Sequence, residues 1–314
     1  MKPKRFQYVY GPVPSRRLGR SLGLDLVPYK TCTYDCVYCQ LGRTTEKTLK
    51  RRSYAPVEEI LSELKEALRQ TDSVNYITCA GSGEPTLHVE IGTLIRRIKE
   101  STSIPVAVLT NGSLLHVAEV SEALRRADLV IPSLDAGYDH TFEFVNRPHE
   151  GLTLQRVVEG LKAFRKKYEG KLYLEVMLLR GLTGVPAEVK KIAQIVSEIQ
   201  PDRVQLNTPT RPPCEPYVLP VPTSLLEEFK SFFSVPVDVV TEKTIAASEK
   251  ESPEELPDDR ILELVKRRPC TDRDVASGLG LSVCEATKRL AVLHEQGLVV
   301  PLWREGKLYF APAK

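Results

Sequence analysis

Along the chain, short apolar runs alternate with longer segments whose apolar residues recur every three to four positions. Residues 22–27 (LGLDLV) form the first run, followed by a loop and a helical pattern over about 57–70 (VEEILSELKEALRQ). Residues 75–79 (NYITC) precede a Gly-rich turn and a helix near 90–101, and 105–110 (PVAVLT) precede a helix near 115–126. The unit recurs at 128–134 (DLVIPSL) with a helix over 152–168, at 171–179 (KLYLEVMLL) with one over 186–199, and at 203–207 (RVQLN) with one near 222–233. Buried-type strands separated by amphipathic helices predict a parallel sheet with helical crossovers, an α/β domain over residues 1–240 that a short strand at 237–240 completes. Six units fall short of the eight that close a full barrel, so the expected fold is a partial (β/α)6 TIM-like barrel or a doubly wound sheet. Both bind ligands at the C-terminal ends of their strands, which directs attention to the loops that follow each strand.

Residues 241–257 carry five Glu, two Lys and two Pro with little apolar content, and read as a linker. Beyond it, a helix at 258–267, a short helix near 271–278, a helix over 282–295 and a hairpin turning at Glu305-Gly306 resemble a winged helix-turn-helix over 258–314. That unit holds ten Lys/Arg against eight Asp/Glu, a thin basic footprint for a nucleic-acid reader, so docking of protein or positioning of tRNA is as well supported as operator recognition.

Composition refines this picture in three ways. No run of about 18 apolar residues exists to span a membrane, and the N-terminus lacks the apolar core of a secretory signal, so a cytoplasmic location is expected. The 44 Lys/Arg nearly balance the 41 Asp/Glu, yet residues 1–52 hold twelve of the basic and only three of the acidic residues. That asymmetry points to an anionic partner, a phosphate-bearing ligand or RNA, or else to a solvated basic face. Finally, seven Cys is an odd number for a disulfide framework, and three of them fall within eight residues.

Those three are Cys32, Cys36 and Cys39, in CTYDCVYC. Three thiolates on one loop can hold a [4Fe–4S] cubane with one iron left open for a ligand. A structural zinc site asks for four ligands, and here Cys79 or a His would have to supply the fourth. Cys214, in RPPCEP beyond the sixth strand, lies on a loop expected to face substrate, where a thiol can donate a hydrogen atom or simply remain inert. Cys270 and Cys284 read as core residues of the second unit. Arg16, Arg17 and Arg20 precede the first strand and suit either a substrate phosphate or carboxylate, or a surface basic run.

The CxxxCxxC loop after the first strand, with Tyr38 before its last Cys, resembles the radical S-adenosylmethionine superfamily. Gly81, Ser82, Gly83 and Glu84 after strand two are similar to that superfamily's GGE motif, with Ser82 in place of the usual first Gly. Thr110 and Asn111, then Ser133 and Asp135, then Met177, and then Asn207 follow at the next four strand ends in the expected order. The resemblance implies that Cys32, Cys36 and Cys39 ligate a [4Fe–4S] cluster, and that S-adenosyl-L-methionine chelates the open iron. It implies that the Gly-rich turn holds the cofactor's amino group, Asp135 its ribose unless it caps a helix, and the later strand ends its adenine and the substrate. Cofactor cleavage would yield a 5′-deoxyadenosyl radical that removes a hydrogen atom from a substrate, with electrons from a flavodoxin- or ferredoxin-type donor. The stretches GPVPSRRLGRSLGLDLVPYKTCTYDCVYCQLG and AGSGEPTL look like the Fe–S oxidoreductases related to wybutosine-type tRNA synthases. Those relatives carry extra N-terminal Cys for a second cluster, and no Cys precedes Cys32 here, which argues against the same reaction. A nucleic-acid base, a protein side chain or a small anion is the expected substrate, and the basic N-terminus favours RNA or a phosphate-bearing one. A glycyl-radical-enzyme activase and an Fe–S redox-sensing DNA-binding regulator are the alternatives.

Overall fold

The structure is a computed structural model that describes residues 6–71, 73–240, 258–304 and 306–313. The expected linker at 241–257 and Glu305 of the hairpin turn lie outside the described residues. In chain order the strands are β1 (Val9–Ser15), β2 (Gly19–Asp25), the two-residue β3 (Thr31–Cys32) and β4 (Glu46–Lys47), β5 (Tyr76–Ala80), β6 (Val106–Thr110), β7 (Leu129–Pro132), β8 (Lys171–Met177), β9 (Arg203–Asn207) and β10 (Val237–Val239). Between them run α1 (Val57–Arg69), α2 (Ile91–Ser101), α3 (Ala118–Leu124), α4 (Asp139–Asn146), α5 (Leu154–Arg165), α6 (Pro186–Ile199) and α7 (Thr223–Phe229).

Eight strands form one sheet in the order β1-β2-β5-β6-β7-β8-β9-β10. All neighbours pair in parallel except β1, which runs antiparallel to β2. This is the α/β partial barrel that the six strand–helix units predict. Alternation along each strand builds two faces. One face, with Leu24, Ile77, Val108, Val130, Leu174 and Leu206, packs on the inner sides of the helices, among them Ile60 and Leu64 of α1 and Ile91, Leu94, Ile95 and Ile98 of α2. Each such fully buried aliphatic side chain is worth about 1.5–3 kcal/mol. The opposite face places Tyr76, Ala107, Leu129, Ile131 and Tyr173 in a separate apolar cluster with Leu18. Tyr76, Ala107, Leu129 and Tyr173 sit in the N-terminal halves of their strands, so the lumen has an apolar floor.

Besides the two-residue β3 and β4, two longer elements were not expected. β1 contains Pro12 and Pro14, and is confined to the sheet edge, where proline's missing N–H costs no ladder bond. Its pairing starts β2 at Gly19, earlier than the apolar run suggests. The short helix α4 follows β7 within what reads as a loop.

From residue 258 on come α8 (Asp258–Arg267), α9 (Asp272–Leu279), α10 (Val283–Glu295) and the antiparallel hairpin β11 (Val299–Arg304) and β12 (Lys307–Pro312). Thr271 caps α9 reciprocally with Asp274, Ser282 caps α10, and Gly280 ends α9 at φ 69°. Their own small core includes Ile261, Val265, Cys270, Leu290 and Phe310, with Val13 of β1 packed against it. Arg267 pairs with Asp25, Arg211 with Asp274, and Tyr309 donates to the Thr210 carbonyl, so this unit sits against the strand-end loops of the barrel.

Candidate active site

The Cys loop leaves the C-terminal end of β2 and is fastened on both sides. The Asp35 N–H donates to the Asn146 carbonyl (3.1 Å), the Val37 N–H to Val145 (2.9 Å) and the His149 N–H to Thr33 (2.9 Å), so the end of α4 runs along the loop. On the other side, the Lys30 N–H donates to the Ser82 carbonyl (2.7 Å) and the Glu84 N–H to the Thr31 carbonyl (3.0 Å). The Gly-rich turn after β5 therefore lies directly on the loop.

Glycine is required at that contact. A Cβ on Gly83 would stand 2.1 Å from the Thr31 oxygen and 2.7 Å from Val27 Cγ2, while Gly81 holds φ +130° with Asp25 Oδ1 2.2 Å from where its Cβ would be. Asp25, at the end of β2, accepts from the Ser82 N–H (2.7 Å) and hydroxyl (2.9 Å), so the serine in the usual glycine position of the motif is tied down through its side chain. Gly83→Ala is expected to push turn and loop apart at a cost of about 1–3 kcal/mol. Urea unfolding checks this against Ser82→Ala, which removes the single hydroxyl bond to Asp25 and is expected to cost about 1 kcal/mol.

Each thiol of the loop faces one nitrogen donor. Lys30 Nζ donates to Cys39 Sγ (3.1 Å), Asn111 Nδ2 approaches Cys32 Sγ (3.6 Å) and Asn146 Nδ2 approaches Cys36 Sγ (3.6 Å). Burial, then Glu84, pushes the Cys32 thiol up to about 12, and burial, then Asp135, pushes Cys36 well above the ordinary range. Burial opposes the Lys30 charge, but the sulfurs of Cys39, Cys32 and Cys36 hold its ammonium above its usual value.

Two carboxylates organise the strand ends. Glu84 is buried and accepts from the Thr86 N–H (3.0 Å) and hydroxyl (2.6 Å), the Thr110 hydroxyl (2.6 Å) and the Asn111 N–H (2.8 Å), which locks the turn after β5 to the end of β6. Asp135 accepts from the Tyr38 hydroxyl, Asn146 Nδ2 (2.8 Å) and the Met177 N–H (3.0 Å). Burial lifts its carboxyl to about 6 against those three donors. Both carboxylates thus accept from protein groups, and Asp135 does not cap the helix that follows it. Ser133 bridges to Glu175 of β8, and Asn207 donates to Glu175 Oε1 (2.7 Å).

The arginines divide. Arg17 pairs with Glu175 (2.6 Å) and Arg16 donates to Asn207 Oδ1 (3.5 Å), so both side chains enter the lumen. Arg20 does not join them. It opens β2 at the floor end and donates to the Ser73 carbonyl (3.2 Å), away from the Cys loop, because the turn between β1 and β2 reverses the chain after Arg17. Cys214 sits beside the Cys loop: the neighbouring Glu215 N–H donates to the Val37 carbonyl (3.0 Å), and burial raises the thiol. Lys30, Asp25 and Asn146 are site residues without a sequence signal.

Whether this loop suits an iron–sulfur cluster can be tested on its buried atoms. Tyr34 OH and Asn146 Oδ1 are buried with no hydrogen-bond partner, and both border Cys36 and Asp135. Cys32 and Cys36, whose charged forms burial disfavours, need cations to become thiolates, and two unpaired polar atoms beside them suit a bound group. Among the described residues no three His, Cys, Asp or Glu side chains are gathered to hold a single ion, whereas a cubane takes one thiolate on each of three irons. The residues fit.

A parallel partial barrel with a cysteine triplet at its strand ends defines a cofactor-dependent α/β enzyme, and comparison makes the class definite. The family model of the Radical SAM superfamily matches residues 26–194, more than half of the chain, and the chain belongs to that superfamily. It is a radical SAM enzyme, a class that uses S-adenosylmethionine and an iron–sulfur cluster and needs a reductant. UPF0026 protein MJ1312 of Methanocaldococcus jannaschii is 37% identical over 227 residues, 72% of this chain and 70% of that protein. A Brachyspira hyodysenteriae protein described as GTPase Obg is 39% identical over 303 residues, 95% of this chain, and this chain spans 44% of that protein's length. In fold, a radical SAM methyltransferase from Sphaerobacter thermophilus superposes with a TM-score of 0.53 at 16% identity, covering 70% of this chain and 66% of its own. Among the described residues no helix is long and apolar enough to cross a membrane.

Proposed function

We propose that Cys32, Cys36 and Cys39 hold a [4Fe–4S] cluster and that S-adenosylmethionine binds between it and the Gly81–Ser82–Gly83 turn. The observation that carries this reading is the set of three separate donors, Lys30, Asn111 and Asn146, each aimed at a different thiol of the loop. When bound, cluster and cofactor together supply one-electron cleavage to a 5′-deoxyadenosyl radical. The chain's own residues do the rest. Lys30, Asn111 and Asn146 stabilise negative charge on the sulfurs, as donors to metal-bound thiolates do. Asp135 positions Tyr38, Asn146 and the Met177 backbone, so it ties the loop to β7, α4 and β8 together. Glu84 fixes the turn on which the cofactor's amino group rests. The apolar floor of Leu18, Leu129 and Ile131 excludes water from below, which protects a reactive species at the strand ends. The substrate loses a hydrogen atom in the lumen above that floor.

A flavodoxin- or ferredoxin-type protein is the proposed electron donor, and the cytoplasm the proposed location. Residues 258–314 are proposed as a winged-helix-like unit that positions substrate. Arg289, on the helix such units use for nucleic acid, pairs with Glu285 (2.7 Å) and Asp258 (3.5 Å), which favours a docking role over DNA reading.

The test is anaerobic reconstitution with iron and sulfide, followed by dithionite and S-adenosylmethionine. The expected result is about four irons per chain and formation of 5′-deoxyadenosine. Zinc uptake without a cluster overturns the reading.

A further inference from the structure

We propose that the junction between the barrel and the C-terminal unit is a binding site for the phosphate group of a small molecule, built by Arg16, Arg17, Arg211 and Arg268. The four come from distant parts of the chain. Arg16 and Arg17 follow β1, Arg211 lies on the loop after β9, and Arg268 follows α8. None is exposed, and the side chains of Arg17 and Arg211 are only 15% and 14% accessible. Buried guanidiniums are normally matched by carboxylates. Here two carboxylates answer four arginines: Glu175 with Arg17 (2.6 Å), and Asp274 with Arg211 (3.1 Å). Arg16 has only the Asn207 amide oxygen at 3.5 Å, and Arg268 leans on the Cys270 sulfur. Arg211 Nε is buried with no hydrogen-bond partner.

The electrostatics follow from that imbalance. Burial, then Arg211 and Arg17, lowers Arg16 to about 10, and burial, then Arg211, lowers Arg268. An uncompensated surplus of two positive charges matches a phosphate dianion, and arginine forks suit its oxygens. Arg211 also lines an adjoining cavity of about 330 Å³ together with Thr208, Thr210, Arg304, Lys307 and Tyr309, and no acidic residue lines it. That volume lies at the lower end of small-ligand pockets. A cavity of this size beside the arginines accommodates a small phosphate ester. Calling the ligand a substrate rests on the proposed radical chemistry in the same lumen. The binding itself does not.

The experiment is calorimetric titration of the full-length, cluster-free chain with inorganic phosphate and pyrophosphate, and in parallel with a short RNA oligonucleotide. One saturable site for pyrophosphate is expected, weakening as salt rises. Arg16→Gln, which gives up only one long hydrogen bond within the protein, is expected to weaken binding about tenfold or more. Asp274→Asn keeps an acceptor for the Thr271 N–H, removes the charge that competes for Arg211, and is expected to tighten binding several-fold, a gain no folding defect can mimic. Absence of saturable phosphate or pyrophosphate binding, unchanged affinity in Arg16→Gln and Asp274→Asn, or binding of the oligonucleotide alone each overturns the proposal.

Discussion

A Cys36→Ala protein is expected to fold, to take up little iron or sulfide on reconstitution, and to lose 5′-deoxyadenosine formation by more than about a hundredfold, since even groups that merely orient a metal ligand are worth about 10–100-fold. The loop does not depend on this thiol for its shape. Its neighbours on either side are pinned by backbone bonds, Asp35 to Asn146 and Val37 to Val145, while Asp35 Oδ1 accepts from the Thr44 N–H (2.7 Å). The sulfur itself receives Asn146 Nδ2 at 3.6 Å and the Tyr38 hydroxyl, whose main acceptor is Asp135. Removing it therefore subtracts a ligand and leaves the scaffold. Iron and sulfide content, the visible absorbance of the reconstituted protein and the deoxyadenosine yield check the first part, and far-ultraviolet circular dichroism checks that the fold survives. Retained cluster and activity in this variant would show that Cys36 is not a ligand and would break the three-cysteine assignment.

The sequence made the barrel legible because its strands are buried on both faces and read as apolar runs, while its helices bury one face and read with a 3.6-residue period. The loops after the strands were legible for a related reason: each apolar run ends where the chain turns toward ligand, and the Cys triplet, the Gly-rich turn, Thr110–Asn111, Ser133–Asp135 and Asn207 all fall there. What stayed hidden depends on antiparallel or irregular structure. Pro12 and Pro14 argue against a strand, yet β1 tolerates them as an edge strand with a register shift between Tyr10 and Val13. The reversal after β1 is what separates Arg20 from Arg16 and Arg17, and no periodicity in RRLGR announces it. α4 is eight residues long, has no capping side chain at its start and ends on Arg147 at φ 44° instead of a glycine, so the usual start and stop signals are missing. Asn146, its last residue, was invisible for that reason.

Roles were less legible than positions. Asp135 and Glu84 stand where cofactor contacts are expected, but a sequence cannot say which side of a carboxylate its neighbours occupy. The Asp135 oxygens are taken by Tyr38, Asn146 and the Met177 N–H, partners 97, 11 and 42 residues away. Only the folded strand order brings those three together.

Glu84→Ala is expected to destabilise the barrel by about 3–5 kcal/mol, the loss typical when a buried, hydrogen-bonded charge network is broken. The carboxylate answers two backbone N–H groups and two hydroxyls, and alanine leaves the N–H groups of Thr86 and Asn111 buried without acceptors, each worth about 1–3 kcal/mol. Glu84→Gln keeps one acceptor oxygen but turns an N–H₂ toward a donor, so an intermediate loss is expected. The pH dependence has a definite sign. Burial outweighs the four donors and raises the Glu84 carboxyl, so the native state holds its proton longer than the unfolded chain does. The stability this adds is full below the unfolded pKa of about 4.3 and is lost as pH rises through the higher native value. Urea midpoints measured across the carboxyl range are expected to carry that downward slope in wild type and a shallower one in Glu84→Ala, where the raised Asp135 carboxyl still contributes. A variant as stable as wild type at neutral pH, with an unchanged slope, would mean that the turn after β5 holds its shape without this carboxylate, and the platform assigned to the cofactor would need another anchor.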